Sequence, residues 1–231
     1  MGRRTPRPYT WGMLIDDYVA DLSRALAGPA GPKRDLVVEA RDSLADAADA
    51  LEAEGFDRAE AERLAVAEFG EVTEIAPGFQ DELTTAAGRR LAALLFLSLP
   101  VSVLIWSAIW RLYPDSGTPW QDRPVWYGAV SRTLDYVQAG AGVYGGIALL
   151  ALGRGMRWIR RPRTITRSLG MTVMIALPVC GLLSSALTLT SGLPGEFDQM
   201  LPVALAELVT SAFWGLLLYG ATRCLRLTRT N

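Results

Sequence analysis

The sequence predicts an all-α protein: a small cytoplasmic three-helix domain followed by a four-helix transmembrane bundle. Three observations carry that reading. Four stretches beyond residue 90 are long, apolar and almost free of charge. The segment before them has apolar residues at helical spacing among many charged ones. Charge divides the same way, with 18 acids and 9 bases in residues 1–88 against 6 acids and 14 bases in residues 89–231. The overall balance of −1 therefore hides two unlike halves.

Composition narrows the chemistry. The chain has no histidine, which excludes the usual His-based triads, proton relays and metal sites. Two cysteines, Cys180 and Cys224, cannot form a disulfide framework. Arg3, Arg4 and Arg7 stand before WGMLI, but Asp16 and Asp17 follow at once. No apolar run of useful length intervenes, so a cleaved signal is not expected.

Residues 13–27 place Ile15, Val19, Leu22 and Leu26 on one helical face, opposite Asp17, Asp21 and Arg24. GPAGP at 28–32 ends that helix and supplies a turn. Residues 33–54 carry Leu36, Ala40, Leu44, Ala47 and Leu51 along the next stripe, with Glu39, Arg41, Asp42, Asp46 and Asp49 on the other faces. Gly55 is placed as its C-terminal cap, and Asp57 with Glu60 has capping-box spacing. A third helix over 58–69 ends at Gly70 and buries Ala61, Leu64, Ala65 and Phe69. These helices delimit a prefix domain at 13–70. Pro77 and Gly78 should interrupt any helix that follows, leaving 71–90 as a linker with a short helix at 79–88. Phe79 and Leu83 would pack from it onto the three-helix unit. Alanine-rich stripes bury little area per residue, so this small domain should be only marginally stable.

The membrane domain is expected over 91–222. Residues 91–110 hold no formal charge and would span about 30 Å as a helix, with Pro100 near the middle. The second span, 134–153, is glycine-rich; the third, 169–190, contains Pro178; the fourth, 203–221, is broken only by Glu207. The connection 154–167 holds six arginines and no acid, and Arg223, Arg226 and Arg229 follow the last span. Residues 191–202 hold Glu196 and Asp198 and no base, and 111–135 are balanced. Basic short loops stay in the cytoplasm, which predicts a multi-pass inner-membrane protein with both termini cytoplasmic. Trp106, Trp110, Trp120 and Trp126 near the outer end of the first hairpin, and Trp158 in the basic loop, suit interface anchors.

Few residues stand out as site candidates. Glu207 lies a short way inside the outer end of the last span, where a carboxylate costs up to about 3 kcal/mol at the bilayer centre. It should face the bundle interior or be protonated. Asp135 and Gln138 lie at the outer end of the second span. Gly142 and Gly146 form a GxxxG pair that permits close helix approach, within the chain or between two copies. The acids of the prefix lie on solvated faces, so no catalytic, cofactor or metal site is expected. The glycines between 140 and 155 lack the strand and lysine of a phosphate cradle. The arginines of 154–167 set topology and attract anionic lipid; direct nucleic-acid binding is not expected. Leu22, Leu44, Leu64, Phe69 and Phe79 are the apolar positions available for a cytoplasmic interaction.

The segments DYVADLSRAL at 17–26, VVEARDSLADA at 37–47 and LEAEGFDRAEAERLAVAEFGEVTEIAPGFQ at 51–80 resemble the cytoplasmic permease prefix domain 1, a short helical signalling (HAAS-like) family of bacterial membrane proteins. AEFG at 67–70 followed by an acidic run is the most specific part. The resemblance covers residues 14–83. It implies a non-catalytic prefix ahead of membrane helices, and a PadR-like transcriptional regulator as partner. Transporter permeases also carry the prefix, but this chain has four short-looped spans and no large extracytoplasmic domain. The sequence thus points to a non-enzymatic regulatory or scaffolding membrane protein, with lipid, a cytoplasmic protein and a second copy of itself as candidate partners. The alternative is an accessory or oligomeric component of a transport system.

Overall fold

A computed structural model describes residues 13–112, 123–153, 162–191 and 197–228. Among them the chain is all α: α1 (Met13–Ala25), α2 (Ala30–Ala53), α3 (Arg58–Phe69), α4 (Val72–Leu112), α5 (Tyr127–Gly153), α6 (Pro162–Ser191) and α7 (Phe197–Leu227). It divides into two compact units, Met1–Leu83 and Thr84–Asn231, and the boundary falls inside α4. Trp120, Trp158, Arg229 and the arginines at 154–161 lie outside the described residues.

The first unit is built on the expected stripes. Ile15, Leu22, Leu26, Ala40, Leu44, Ala48, Ala61, Ala65 and Leu83 form one buried cluster, with Val19, Leu36, Ala47, Leu51, Phe69 and Phe79 half-buried around it. The α2–α3 corner is closed by a Schellman arrangement. The Phe56 amide donates to the Leu51 carbonyl at 3.3 Å and the Gly55 amide to the Glu52 carbonyl at 3.0 Å. This requires the positive φ of Gly55, 105°. Asp57 Oδ1 accepts from the Glu60 amide at 3.0 Å, while the Glu60 carboxylate pairs with Arg63. Only the N-cap half of a capping box is therefore present.

The expected break at Pro77 and Gly78 is absent, because α4 starts at Val72 and runs unbroken through both. Pro77 is the sixth helical residue, so its missing N–H removes only the bond to the Thr73 carbonyl in the opening turn. The first turns of α4 belong to the small unit. Gln80 clamps the end of α1, accepting from the Ala27 amide at 2.9 Å and donating to the Ala27 carbonyl at 2.8 Å. A methyl group on Gly28 would sit 3.1 Å from Leu83 Cδ1, so the turn after α1 packs tightly on this part of α4.

The second unit contains four helices long and apolar enough to cross a membrane, with candidate spans Val72–Ile109, Tyr127–Gly153, Arg163–Thr190 and Leu201–Leu227. Its core joins Leu91, Ala92 and Leu95 of α4, Ala148 of α5, Leu169, Val173 and Leu177 of α6, and Leu217, Ala221 and Cys224 of α7. Outward from that core the surface is largely apolar. Leu104, Ile147, Ile175, Leu182, Leu208 and Leu216 are all exposed, which suits contact with lipid. Glycines set the helix approaches. A Cβ on Gly145 would lie 3.2 Å from the Ala92 carbonyl oxygen, and one on Gly170 3.2 Å from that of Ala221. Small residues at crossings are how helices pack where lipid is as apolar as leucine. A hydrogen bond crosses from α5 to α6. Ser168 Oγ donates to the Ile165 carbonyl at 2.9 Å, so the Tyr144 hydroxyl donates to Ser168 Oγ at 2.7 Å.

Candidate functional site

In the small unit, the polar surface is more informative than the apolar one. Leu22 and Leu44 are fully buried, and Leu64, Phe69 and Phe79 are half-buried. Leu22 and Leu44 belong to the domain's core, and Phe69 and Phe79 pack against it. Phe69 meets Tyr18 edge to face at 5.9 Å between ring centroids, and the Tyr18 hydroxyl donates to the Gly70 carbonyl at 2.8 Å. Burial raises the Tyr18 pKa above its ordinary value.

Arg58, the first residue of α3, organises one ionic cluster. Its Nη1 donates to Asp49 Oδ1 at 2.5 Å and approaches Glu52 Oε1 at 3.3 Å, while Nε donates to Glu62 Oε1 at 3.1 Å. The Asp49 carboxylate above all, with Glu62, lifts the guanidinium pKa further. Glu62 is buried, and this contact accounts for an acid inside an alanine-lined helix interface. The i,i+4 spacing of Arg58 and Glu62 is the usable signal of it in the sequence.

Elsewhere on α2 the acids are free. Asp35, Glu39, Asp42 and Asp46 recur at spacings of four, three and four, which places them on one helical face, and all four are exposed. None forms an ion pair among the described residues, whereas Asp49 further along is taken by Arg58. Exposed Val38 lies beside this row. The face therefore presents unneutralised negative charge with an apolar contact at its side.

In the membrane bundle the candidate residues separate. Gly142 is buried, and Gly146 is half-buried with its missing Cβ position 3.0 Å from the Phe96 ring. With Gly145 against Ala92 and Leu95, the small face of α5 closes on α4 within the chain. Asp135 is exposed and Gln138 is half-buried. Glu207 is exposed on α7 and does not turn into the bundle. The inward stripe of α7 runs through Ala206, Leu217, Ala221 and Cys224. Glu207 belongs instead with Ser211, Gly215 and Tyr219, an exposed row at four-residue spacing. Neither Glu207 nor Asp135 has an ion-pair partner among the described residues, and Arg132 donates from Nε to the Gly128 carbonyl at 3.1 Å. Among the described residues no group of three or more Cys, Asp or Glu is arranged to hold a metal.

No curated protein and no solved structure matches this chain. Residues 17–78 match the HAAS family model, a match that takes in α1 from Asp17, all of α2 and α3 and the opening of α4, so that the HAAS-like stretch leads into the four candidate membrane helices.

Proposed function

We propose that the protein is a non-enzymatic membrane regulator or scaffold whose HAAS-like domain binds a cytoplasmic protein through the acidic face of α2. The observation that supports this most is the row Asp35, Glu39, Asp42 and Asp46, exposed and unneutralised on a domain whose apolar stripes are spent on its own core. A complementary partner presents basic side chains, and charge complementarity of this kind governs encounter and specificity more than raw affinity. The family resemblance makes a PadR-like regulator the first partner to test. The arginines at 154–167 support the placement of both termini in the cytoplasm. The four-helix unit then anchors the domain at the membrane.

Affinity capture from native membranes tests this reading. The intact chain should recover a basic-surfaced cytoplasmic regulator, and added salt should weaken the complex. A chain carrying Glu39→Lys, Asp42→Lys and Asp46→Lys should lose it while still inserting in the membrane. Undiminished capture by the charge-reversed chain would refute the reading.

One observation favours the second reading, an accessory or oligomeric component of a transport system. Glu207 faces outward from the bundle, where a neighbouring membrane protein or another copy would satisfy it. Capture of a permease complex by the membrane unit with the α2 face reversed would favour that alternative.

A further inference from the structure

The four-helix unit encloses a cavity of about 60 Å³, partly open to the outside of the bundle, and all four helices contribute to its wall. Ser98 and Ser102 reach it from α4, Gln138 from α5, Cys180 from α6 and Trp214 from α7. Most of the remaining wall is apolar, with Leu95, Val173 and Leu177 among the lining residues, and no charged side chain among the described residues lines it.

The polar groups on this wall are not used up by the fold. Ser98 Oγ donates to the Leu95 carbonyl at 2.9 Å, which leaves its lone pairs open. The Ser102 hydroxyl and the Gln138 carboxamide have no hydrogen-bond partner among the described residues, and both belong to helices apolar enough to span a bilayer. Gln138 lies eleven residues into α5, about 16 Å along the helix axis from Tyr127. Amide and hydroxyl groups left without partners in an apolar medium are costly, and a polar occupant would remove that cost. A wall without charge gives no preference for an ion. The amide both donates and accepts, as does a hydroxyl, while the apolar walls favour a hydrocarbon body.

We propose that this cavity is a binding site for a small neutral molecule that partitions into lipid and carries a hydroxyl or amide group. The polar group sits between Gln138 and Ser102, and the apolar part lies against Leu177 and Trp214. This inference stands on the bundle alone and is independent of what the HAAS-like domain binds.

Cys180, on the cavity wall, provides the readout. The full chain in lipid nanodiscs is treated with methyl methanethiosulfonate, and modification of Cys180 is followed by peptide mass mapping. Cys224, buried in the bundle core and not part of the cavity lining, serves as the internal control. Benzyl alcohol should slow Cys180 modification saturably, by about threefold at two-thirds occupancy, and leave Cys224 unchanged. Toluene, of similar size without the hydroxyl, should protect Cys180 only at much higher concentration. In the double variant Ser102→Ala with Gln138→Leu the two compounds should become equivalent. Equal protection by both compounds in the unmodified chain would overturn the proposal, showing an apolar void with no polar recognition. No protection by benzyl alcohol would overturn it too, leaving water as the occupant. So would a Cys180 that fails to react in the folded chain yet reacts in sodium dodecyl sulfate, because the cavity would then admit nothing.

Discussion

Replacing Gly88 by alanine tests the packing of the membrane unit at a tight helix approach. A Cβ there would lie 2.5 Å from Thr166 Oγ1, 3.0 Å from Leu152 Cδ1 and 3.2 Å from Thr166 Cγ2. Thr166 and Leu152 are almost completely buried, so neither can swing into open space. Thr166 is also β-branched and held in α6, which leaves it few rotamers. Overpacking of this kind costs about 1–3 kcal/mol, and the better helix propensity of alanine returns about 1 kcal/mol. The 2.5 Å contact puts this site in the upper part of that range, about 2–3 kcal/mol, so the expected net loss is about 1–2 kcal/mol, read by equilibrium unfolding of the full chain in mixed micelles. The partner substitution makes the argument specific. Thr166 Oγ1 has no hydrogen-bond partner among the described residues, so Thr166→Ala removes an unsatisfied buried hydroxyl and should be nearly neutral. It also vacates the position that the new methyl group needs. The double variant should therefore recover most of the loss, with a coupling of about 1 kcal/mol or more between two residues in contact. A fully stable Gly88→Ala chain, or strict additivity of the two changes, would refute this account of the α4–α6 approach.

Three further outcomes follow from the small unit. Arg58→Met should lower its stability by about 1–3 kcal/mol, because buried Glu62 loses its partner, and Arg58→Met with Glu62→Leu should regain most of that; urea unfolding followed by circular dichroism reads both. Gln80→Leu removes both bonds to Ala27 and should cost about 1–3 kcal/mol, seen as faster hydrogen exchange at the Ala27 amide. The raised Tyr18 pKa means that the folded state disfavours the phenolate, so this contribution is intact below the ordinary value of 10 and is lost as pH rises through the higher folded value. Melting temperature should accordingly fall more steeply above pH 10 in the unmodified chain than in Tyr18→Phe.

The features legible in the sequence are those set by local periodicity and capping chemistry. The stripes Ile15 to Leu26 and Leu36 to Leu51 lie in the core, Asp57 caps α3, and Gly55 and Gly70 take the positive φ that ends their helices. The four candidate spans were equally plain, because long uncharged runs need no tertiary information. What depended on neighbours far away in the chain was not legible. Pro77 and Gly78 read as a break, yet Gln80 and Leu83 are drawn onto α1 and Gly28, which favours continuing the helix through them. Glu62 sits in a run of charged residues that looks uniformly solvated; only the fold turns it inward to Arg58. The outward direction of Glu207 depends on which stripe of α7 the bundle buries, and that stripe begins one residue earlier at Ala206. The polar cavity was hidden for the same reason, since Ser102, Gln138 and Cys180 converge from three different helices.

The most direct test of the central claim, that a HAAS-like domain is held on the cytoplasmic side by four spans, is labelling of single introduced cysteines in intact cells with a membrane-impermeant maleimide. Ser116→Cys and Gly192→Cys should label from outside, while Asp42→Cys and Arg157→Cys should label only after permeabilisation. Labelling of Asp42→Cys or Arg157→Cys in intact cells would contradict the account.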